Sequence, residues 1–476
     1  MSVRYNEDKE LDFAKIASEV LEFWKANKIF EESVSSREGN PTFTFYEGPP
    51  SANGTPGIHH VMARTVKDIF CRFKTFEGYQ VKRKGGWDTH GLPVELQVEK
   101  ELGITKDDIG TKISVEDYNK RCRETVMKFK DQWDDLTVKM GYWVDLDHPY
   151  VTYEKDYIES LWWSLKQLYE KDLLYKGYSI QPYSPAAGTG LSSHELNLPG
   201  CYKDVKDTSV VAQFKVKKDE KSNSLFKNNK GDVFILAWTT TPWTLPSNTA
   251  LAVGEKISYV QINTFNQYTH QPISVILAKD LVSRYFSDKN KDIKLSDYKA
   301  GDKTVPFEIV NELKGSDLVG IQYEQLMPYL QPFYDADKAF QVVAGDFVTT
   351  EDGTGVVHTS PTFGADDFKV ARQNGIPALT LKDIDGSELP TVDRKGKFVK
   401  EIGAKLLEGV NKFNIKTHKP LTENDFYVKN YTNEDETHPD YKNTDVIISI
   451  ILKEENKAFK VEKYEHTYPH CWRTDK

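Results

Sequence analysis

The chain is poor in cysteine and lacks any long apolar run. Its 476 residues contain four cysteines, Cys71, Cys122, Cys201 and Cys471, far apart and with no CxxC pair. A disulfide framework is therefore not expected, and the pattern suits a reducing, cytosolic compartment. No run of about 18 or more apolar residues occurs, which argues against a transmembrane helix. The opening "MSVRYNEDKELDFAKIASEV" has neither an apolar h-region nor a small-residue cleavage site, so it does not read as a signal peptide. Positive charge is not in excess: the formal net charge of −9 argues against bulk attraction to nucleic acid, while leaving room for a local basic face. Internal repeats and low-complexity tracts are missing too.

What is present suffices for real cores. Hydrophobic residues are 38% and charged residues 28%, a soluble, globular balance, and the length predicts two or three domains. Residues 8 to 27 space apolar positions as an amphipathic helix. "TFTFYEGPP", residues 42 to 50, reads as a strand stopped by Gly48 and two prolines. "HHVMARTVKDIFCRFKTFEG" follows as a helix. "YQVKRKGGWDTHGLPVELQVEKELG" predicts a second strand, a glycine-rich turn and a helix from Leu92. Strand, loop, helix and strand of these lengths form a βαβ unit, which implies a parallel sheet. Residues 113 to 176 read as helix-rich, with "YIESLWWSLKQLYEKDLL" the clearest amphipathic helix. Near residue 200 the character becomes mainly β, through "TSVVAQFKV", "DVFILAWTT", "YVQINT", "ISVILAKDLV", "KGSDLVGIQYEQLMPYL" and "AFQVVAGDFVTTEDGTGVVHTSP". The segments near 412 and over 433–443 read as irregular surface.

Four stretches carry candidate chemistry. "PPSANGTPGIHH", residues 49 to 60, leads a small-residue turn into a helix N-terminus, where backbone N–H groups and the helix dipole attract phosphate oxygens. His59 and His60 could donate there to a polyphosphate as charge shifts during nucleotidyl transfer; taken alone, the pair equally fits two capping or surface histidines. "GGWDTHGLPVE", residues 85 to 95, offers Asp88 to a cationic group at the C-terminal end of a parallel strand; a plain turn with a capping Asp is the alternative. "AWTTTPWTLPSNTALAV", residues 237 to 253, sets hydroxyls beside apolar walls, although β-branched runs are usually just strands. "GTGVVHTSPTFGADDF", residues 353 to 368, could line a pocket, and His358 and Asp367 lack further ligands for a metal.

In this order and separation, the four stretches resemble class I aminoacyl-tRNA synthetases, in their isoleucyl branch. The resemblance runs from the helix around Trp24 to "HTYPHCWR" at 466 to 473. Valyl and leucyl relatives share the threonine segment but differ at the Asp88 turn and the Asp367 segment. The resemblance implies an α/β fold: a helical N-terminal extension over 1–41, the first half of a Rossmann-like catalytic domain over 42–200, an inserted mainly β editing domain over 201–462, and a return toward the catalytic domain over 463–476. It implies a ligase that joins isoleucine to tRNA(Ile) through isoleucyl-adenylate, using ATP with Mg²⁺. Gly48 and Pro49 would line the isoleucine pocket and Asp88 would hold its ammonium group. The nucleotide would lie over Asn53, Gly54, Gly57 and His60. In the editing domain, Thr239, Thr240, Thr241, Trp243 and Asn248 would form the pocket, Asp367 would grip the ammonium of valyl-tRNA(Ile), and His358 would help position it. Phe363 stands where many relatives have His.

Three departures from the family pattern shape the expectations. The usual His-Ile-Gly-His appears here as Gly57-Ile58-His59-His60, which predicts an active site of altered geometry. Inhibitors that mimic isoleucyl-adenylate and rely on the usual turn should bind poorly, and nanomolar inhibition of the full-length enzyme would contradict this. The CxxC pairs that hold structural zinc in many bacterial relatives are absent from "QPYSPAAGTG", and one cysteine remains in "CWRT", so no metal is expected at these positions. Nor is a KMSKS-type loop present. The chain is expected to be the N-terminal fragment of a longer enzyme, with an exposed sheet edge, without synthetase activity and with weak deacylation. A cytoplasmic monomer with tRNA(Ile), isoleucine and ATP as partners, and no membrane, completes the reading. A valyl- or leucyl-type synthetase, a stand-alone deacylase acting on mischarged tRNA, and a non-catalytic tRNA- or nucleotide-binding module are the alternatives.

Overall fold

The structure is a computed structural model that describes residues 11–48, 50–177, 179–384 and 386–476. It is mixed α/β and divides into two compact units, residues 1–177 and 178–476. Among the described residues no helix is long and apolar enough to cross a membrane.

In the first unit, helix α1 (Phe13–Ala26) begins at Asp12, whose carboxylate accepts from the Lys15 amide at 3.0 Å. Strand β1 (Thr42–Tyr46) leads through the turn to α2 (Ile58–Phe76), which returns to β2 (Gln80–Trp87). Helix α3 (Leu92–Leu102) starts where the sequence predicts, after Gly91. The expected parallel pairing is present, Thr42 opposite Gln80 through Tyr46 opposite Lys84. The helix-rich reading of 113–176 needs a correction. Between α4 (Val115–Val126), α5 (Lys130–Lys139) and α6 (Lys155–Glu170) lies strand β3 (Asp145–Val151), parallel to β2, so the sheet has order β1-β2-β3. Its sequence, DLDHPYV, is too polar and too short of alternation to announce a strand.

The glycines of "GGWD" also need reassignment. Gly85 and Gly86 do not make the turn; they lie inside β2, where its pairing with β3 shifts register between Lys84 and Gly86. A Cβ on Gly86 would fall 2.2 Å from the Tyr150 ring, so only glycine fits. The sharp turn comes at Gly91, with φ of 107°.

The second unit is built on a six-stranded sheet. Its strands are β4 (Tyr202–Lys215), β5 (Asp232–Thr239), β7 (Ser258–Phe265), β8 (Pro272–Ala278), β9 (Glu308–Lys314) and β12 (Ala458–Pro469), in order β9-β7-β8-β5-β4-β12. The near-continuous apolar runs have a simple cause. Side chains alternate between faces, and both faces are covered: Val233, Ile235 and Ala237 enter one core, Phe234 and Leu236 the other. The first core is closed by α8 (Lys400–Lys412) and α9 (Thr444–Glu454), through Ile402, Leu406, Val410, Ile447, Ile448 and Ile451. The helix Lys400–Lys412 corrects the irregular reading near 412, and the domain is mainly β with these helices packed on it. "KGSDLVGIQYEQLMPYL" is corrected too. It makes one helical turn at Gly315–Leu318 and isolated bridges at Gln322 and Tyr323, its apolar residues filling the core from a loop.

A smaller sheet carries the candidate residues of this unit. Strand β6 (Ala250–Val253) pairs parallel with β10 (Gln341–Ala344) and antiparallel with β11 (Val356–Thr359). After β11 comes helix α7 (Ala365–Asn374).

Candidate active sites

In the first unit the turn after β1 is fixed from beneath. Glu47, buried with 3% exposure, accepts from Lys67 Nζ at 2.7 Å and from the Tyr142 hydroxyl, and Arg64 Nε lies 3.9 Å from it. The Tyr150 hydroxyl donates to the Glu47 carbonyl at 2.5 Å. Gly48 follows directly; Pro49 lies outside the described residues. The Asp88 amide donates to the Pro50 carbonyl at 3.1 Å, so the end of β2 is tied to this loop. Asp88 itself is exposed, and its Oδ1 accepts from the His90 amide at 3.2 Å.

The turn continues through Ala52, which is fully buried, to Asn53, whose amide donates to Gln97 Oε1 at 3.1 Å. Gly54 has open space on its side-chain face, and its carbonyl accepts from Trp133 Nε1 at 2.8 Å. Gly57 is the N-cap of α2 and gives the helix no side-chain cap. His60 supplies the reciprocal contact: its Nδ1 accepts from the Gly57 amide at 2.9 Å. That bond places the ring proton on Nε2, leaving an N–H donor. Burial, then the neighbouring His59 and Arg64, lowers the His60 pKa and favours the neutral ring. The ring meets Trp133 edge-on at 4.6 Å.

The exchanged residues are geometrically coupled. A Cβ at Gly57 would come within 2.9 Å of His59 Cε1, so the His59 ring folds back over the glycine that replaces the first histidine. It lies 3.8 Å from the His60 ring. His59 is exposed and His60 half-buried.

In the second unit the threonine stretch leaves β5 at Thr239 and turns into a 3-10 segment, Pro242–Ser247. Thr239 Oγ1 accepts from the Thr241 amide at 3.0 Å and lies 3.2 Å from Thr241 Oγ1. Thr240 is half-buried beside them. The register of β11 on β6, His358 opposite Leu251 and Thr359 opposite Ala250, draws the second motif against this turn. Thr244 Oγ1 donates to the Thr241 carbonyl at 2.8 Å and sits 2.8 Å from His358 Nε2. With that hydroxyl proton spent, His358 carries its proton on Nε2 and donates. Burial drives its pKa down to about 4, so the ring is neutral. Asn248 is fixed by the Tyr323 hydroxyl at 2.7 Å and donates to the Ala250 carbonyl at 2.8 Å. The structure therefore places His358 and Asn248 as the frame behind the threonines.

Asp367 stands in the first turn of the helix Ala365–Asn374, after the N-cap Gly364. Its Oδ2 accepts from the Ser360 amide at 2.9 Å. Burial raises its pKa to about 6, with Asp366 adding to the rise and the Ser360 amide opposing it. Phe363 packs edge-to-face on Trp243, ring centres 4.9 Å apart, joining the two motifs.

Sequence reading passes over Glu47, Trp133 and Asp445. A glutamate closing an aromatic strand just before Gly-Pro-Pro is a signal for Glu47. Nothing local marks the other two, whose partners are 79 residues away at Gly54 and 202 away at Trp243. Cys471 is buried against Ala187, Leu191 and Leu196, and Cys201 donates to the His470 carbonyl at 3.1 Å.

Residues 19–245 match the family model of tRNA synthetases class I (I, L, M and V). The chain is 64% identical over 474 residues to the isoleucine–tRNA ligase of Cytophaga hutchinsonii, covering 100% of this chain and 41% of that protein. It is 58% identical to the isoleucine–tRNA ligase of a Bacteroides fragilis strain, again over 100% of this chain and 41% of the relative. The chain thus spans about two-fifths of the length of the curated relatives it matches. Among solved structures, the P. knowlesi cytosolic leucyl-tRNA synthetase editing domain shows 12% identity and a TM-score of 0.31, covering 55% of this chain and 97% of that one.

Proposed function

We infer, from the premise that this chain belongs to the class I tRNA synthetases and is of the isoleucine–tRNA ligase type, that it contributes two sites to one enzyme. In the first, the carboxylate of isoleucine attacks the α-phosphate of ATP, giving isoleucyl-adenylate and releasing pyrophosphate. The isoleucyl group then passes to a ribose hydroxyl of the terminal adenosine of tRNA(Ile), and AMP leaves. Gly48 and Pro49 would line the amino-acid pocket and Asp88 would hold the ammonium group. Asn53, Gly54, Gly57 and His60 would receive the nucleotide. An open Gly54, a helix N-terminus and the Nε2–H of His60 support this reading, because each offers room or a donor to phosphate. Mg²⁺ would enter on the nucleotide's phosphates, which suits its reluctance to shed water. The reading also includes a cytoplasmic monomer.

In the second site, valyl-tRNA(Ile) is hydrolysed. One methylene separates valine from isoleucine and supplies only about 1–3 kcal/mol of discrimination, as isoleucyl enzymes themselves exemplify. A second, smaller site is the physical remedy. Thr239, Thr240 and Thr241 would orient the ester, Trp243 would wall the pocket, and Asp367 would pair with the ammonium group. The observation that carries this reading is the β6–β11 register, which brings the Asp367 segment against the threonine turn. The test is hydrolysis of valyl-tRNA(Ile) and isoleucyl-tRNA(Ile) by this chain. Selective loss of the valyl ester is expected; equal rates on both esters would refute it.

A further inference from the structure

We propose that Asp445 is a positioning residue of the threonine pocket, holding Trp243 by its backbone amide; this rests on the editing reading of that pocket. Asp445 lies in the first turn of α9 and is 1% exposed. Its Oδ1 accepts from the Trp243 amide at 2.8 Å, 202 residues away in sequence. The indole N–H of Trp243 is itself buried without a hydrogen-bond partner among the described residues. The polar restraint on this residue therefore acts on its backbone, where the threonine turn becomes the 3-10 segment. The Thr241 and Thr244 bonds shape the turn from within, and Asp445 ties it to the helix behind it.

A buried carboxylate is a costly way to make one hydrogen bond. Oδ2 of Asp445 has no hydrogen-bond partner among the described residues, and its nearest cation, Lys429 Nζ, is 4.0 Å away. Lys429 is closer to Asp207, at 2.7 Å, and Asp207 also faces His466 at 3.2 Å. The charged and titratable groups around Asp445 are thus Lys429, Asp207 on β4, and Lys463, His466 and Tyr468 on β12. Burial raises the Asp445 pKa to about 7, with Asp207 adding and Lys429, the Trp243 amide and Lys463 opposing. A neutral carboxyl still accepts from Trp243, but a carboxylate accepts more strongly. The hold on the turn therefore tightens as pH rises through neutrality.

The variant Asp445→Asn keeps an acceptor and the shape while losing the charge. In the 476-residue chain, kcat for valyl-tRNA(Ile) hydrolysis should match wild type near pH 6. The ratio of wild type to variant should rise by about threefold to tenfold by pH 8, with KM unchanged, the difference between a charged and a neutral hydrogen bond. A ratio that stays flat with pH would overturn the proposal. A second reading needs no substrate: the Trp243 amide resonance in chain labelled with ¹⁵N-tryptophan, assigned by its disappearance in Trp243→Phe. It should titrate in wild type and not in Asp445→Asn; an amide that behaves alike in both overturns the proposal. If neither ester is hydrolysed by wild type, the editing reading fails, and the amide titration alone decides whether Asp445 holds the turn.

Discussion

The two candidate sites are built in opposite ways. The turn after β1 in the first unit is open: Asp88 and His59 are exposed, His60 is half-buried, and Gly54 faces empty space. Its rigidity comes from below, through Glu47, Tyr142, Lys67 and Trp133. The threonine pocket of the second unit is closed behind: Thr239, Thr244, Asn248 and His358 are buried, and their bonds run to one another. An open turn suits a large polyanionic ligand that supplies its own hydrogen-bond acceptors. A dense frame suits discrimination by size, where a loose wall would admit the larger side chain.

This contrast can be broken most forcefully at Glu47. Glu47→Ala strips the buried carboxylate from Arg64, Lys67 and Tyr142, and should cost about 3–5 kcal/mol of stability. Urea unfolding should show the loss in the transition of the first unit. In the second unit, Tyr323→Phe removes the hydroxyl that fixes Asn248 and leaves a buried acceptor unmet. The expected loss is about 1–3 kcal/mol, read as a lower urea midpoint at unchanged slope.

Asp367 sharpens the comparison through pH. Its carboxyl is raised by burial from an unfolded value of about 3.9 to about 6 in the fold. A raised carboxyl contributes stability that is complete below pH 4 and lost as pH climbs through 6. Asp367→Asn should therefore be about 1–2 kcal/mol more stable than wild type at pH 8 and no more stable at pH 4, allowing for solvent screening. Hydrolysis should run the other way, failing below about pH 6 as the ammonium partner is neutralised. The smallest effect belongs to the open turn. His60→Ala removes a helix-end acceptor and should cost less than about 1 kcal/mol by thermal melt.

Much of the fold is legible because its signals are local. The βαβ unit is announced by an aromatic strand, glycine and proline breakers, and helical spacing from His59 to Phe76. The buried strands of the second unit are legible as apolar runs. Strand β3 is not, because DLDHPYV owes its conformation to pairing with β2 and not to its own residues. Gly85 and Gly86 mislead for a related reason: glycine marks a close approach as readily as a turn, and Tyr150 is what approaches. The candidate site residues are legible as motifs, but their roles are not. His358 reads as a pocket histidine in sequence, and only the fold shows its contacts, 2.8 Å to Thr244 Oγ1 and 3.4 Å to Asn248 Nδ2. Asp445 carries no local mark, since its partner lies on another element.

On the proposed reading, the threonine pocket hydrolyses the valyl ester without help from the turn at Gly57–His60. Deacylation of valyl-tRNA(Ile) by wild type, Asp367→Ala and His60→Ala tests it most directly. Asp367→Ala should abolish hydrolysis of the valyl ester, while His60→Ala should leave its rate unchanged. Undiminished hydrolysis by Asp367→Ala, or an equal loss in both variants, would contradict it.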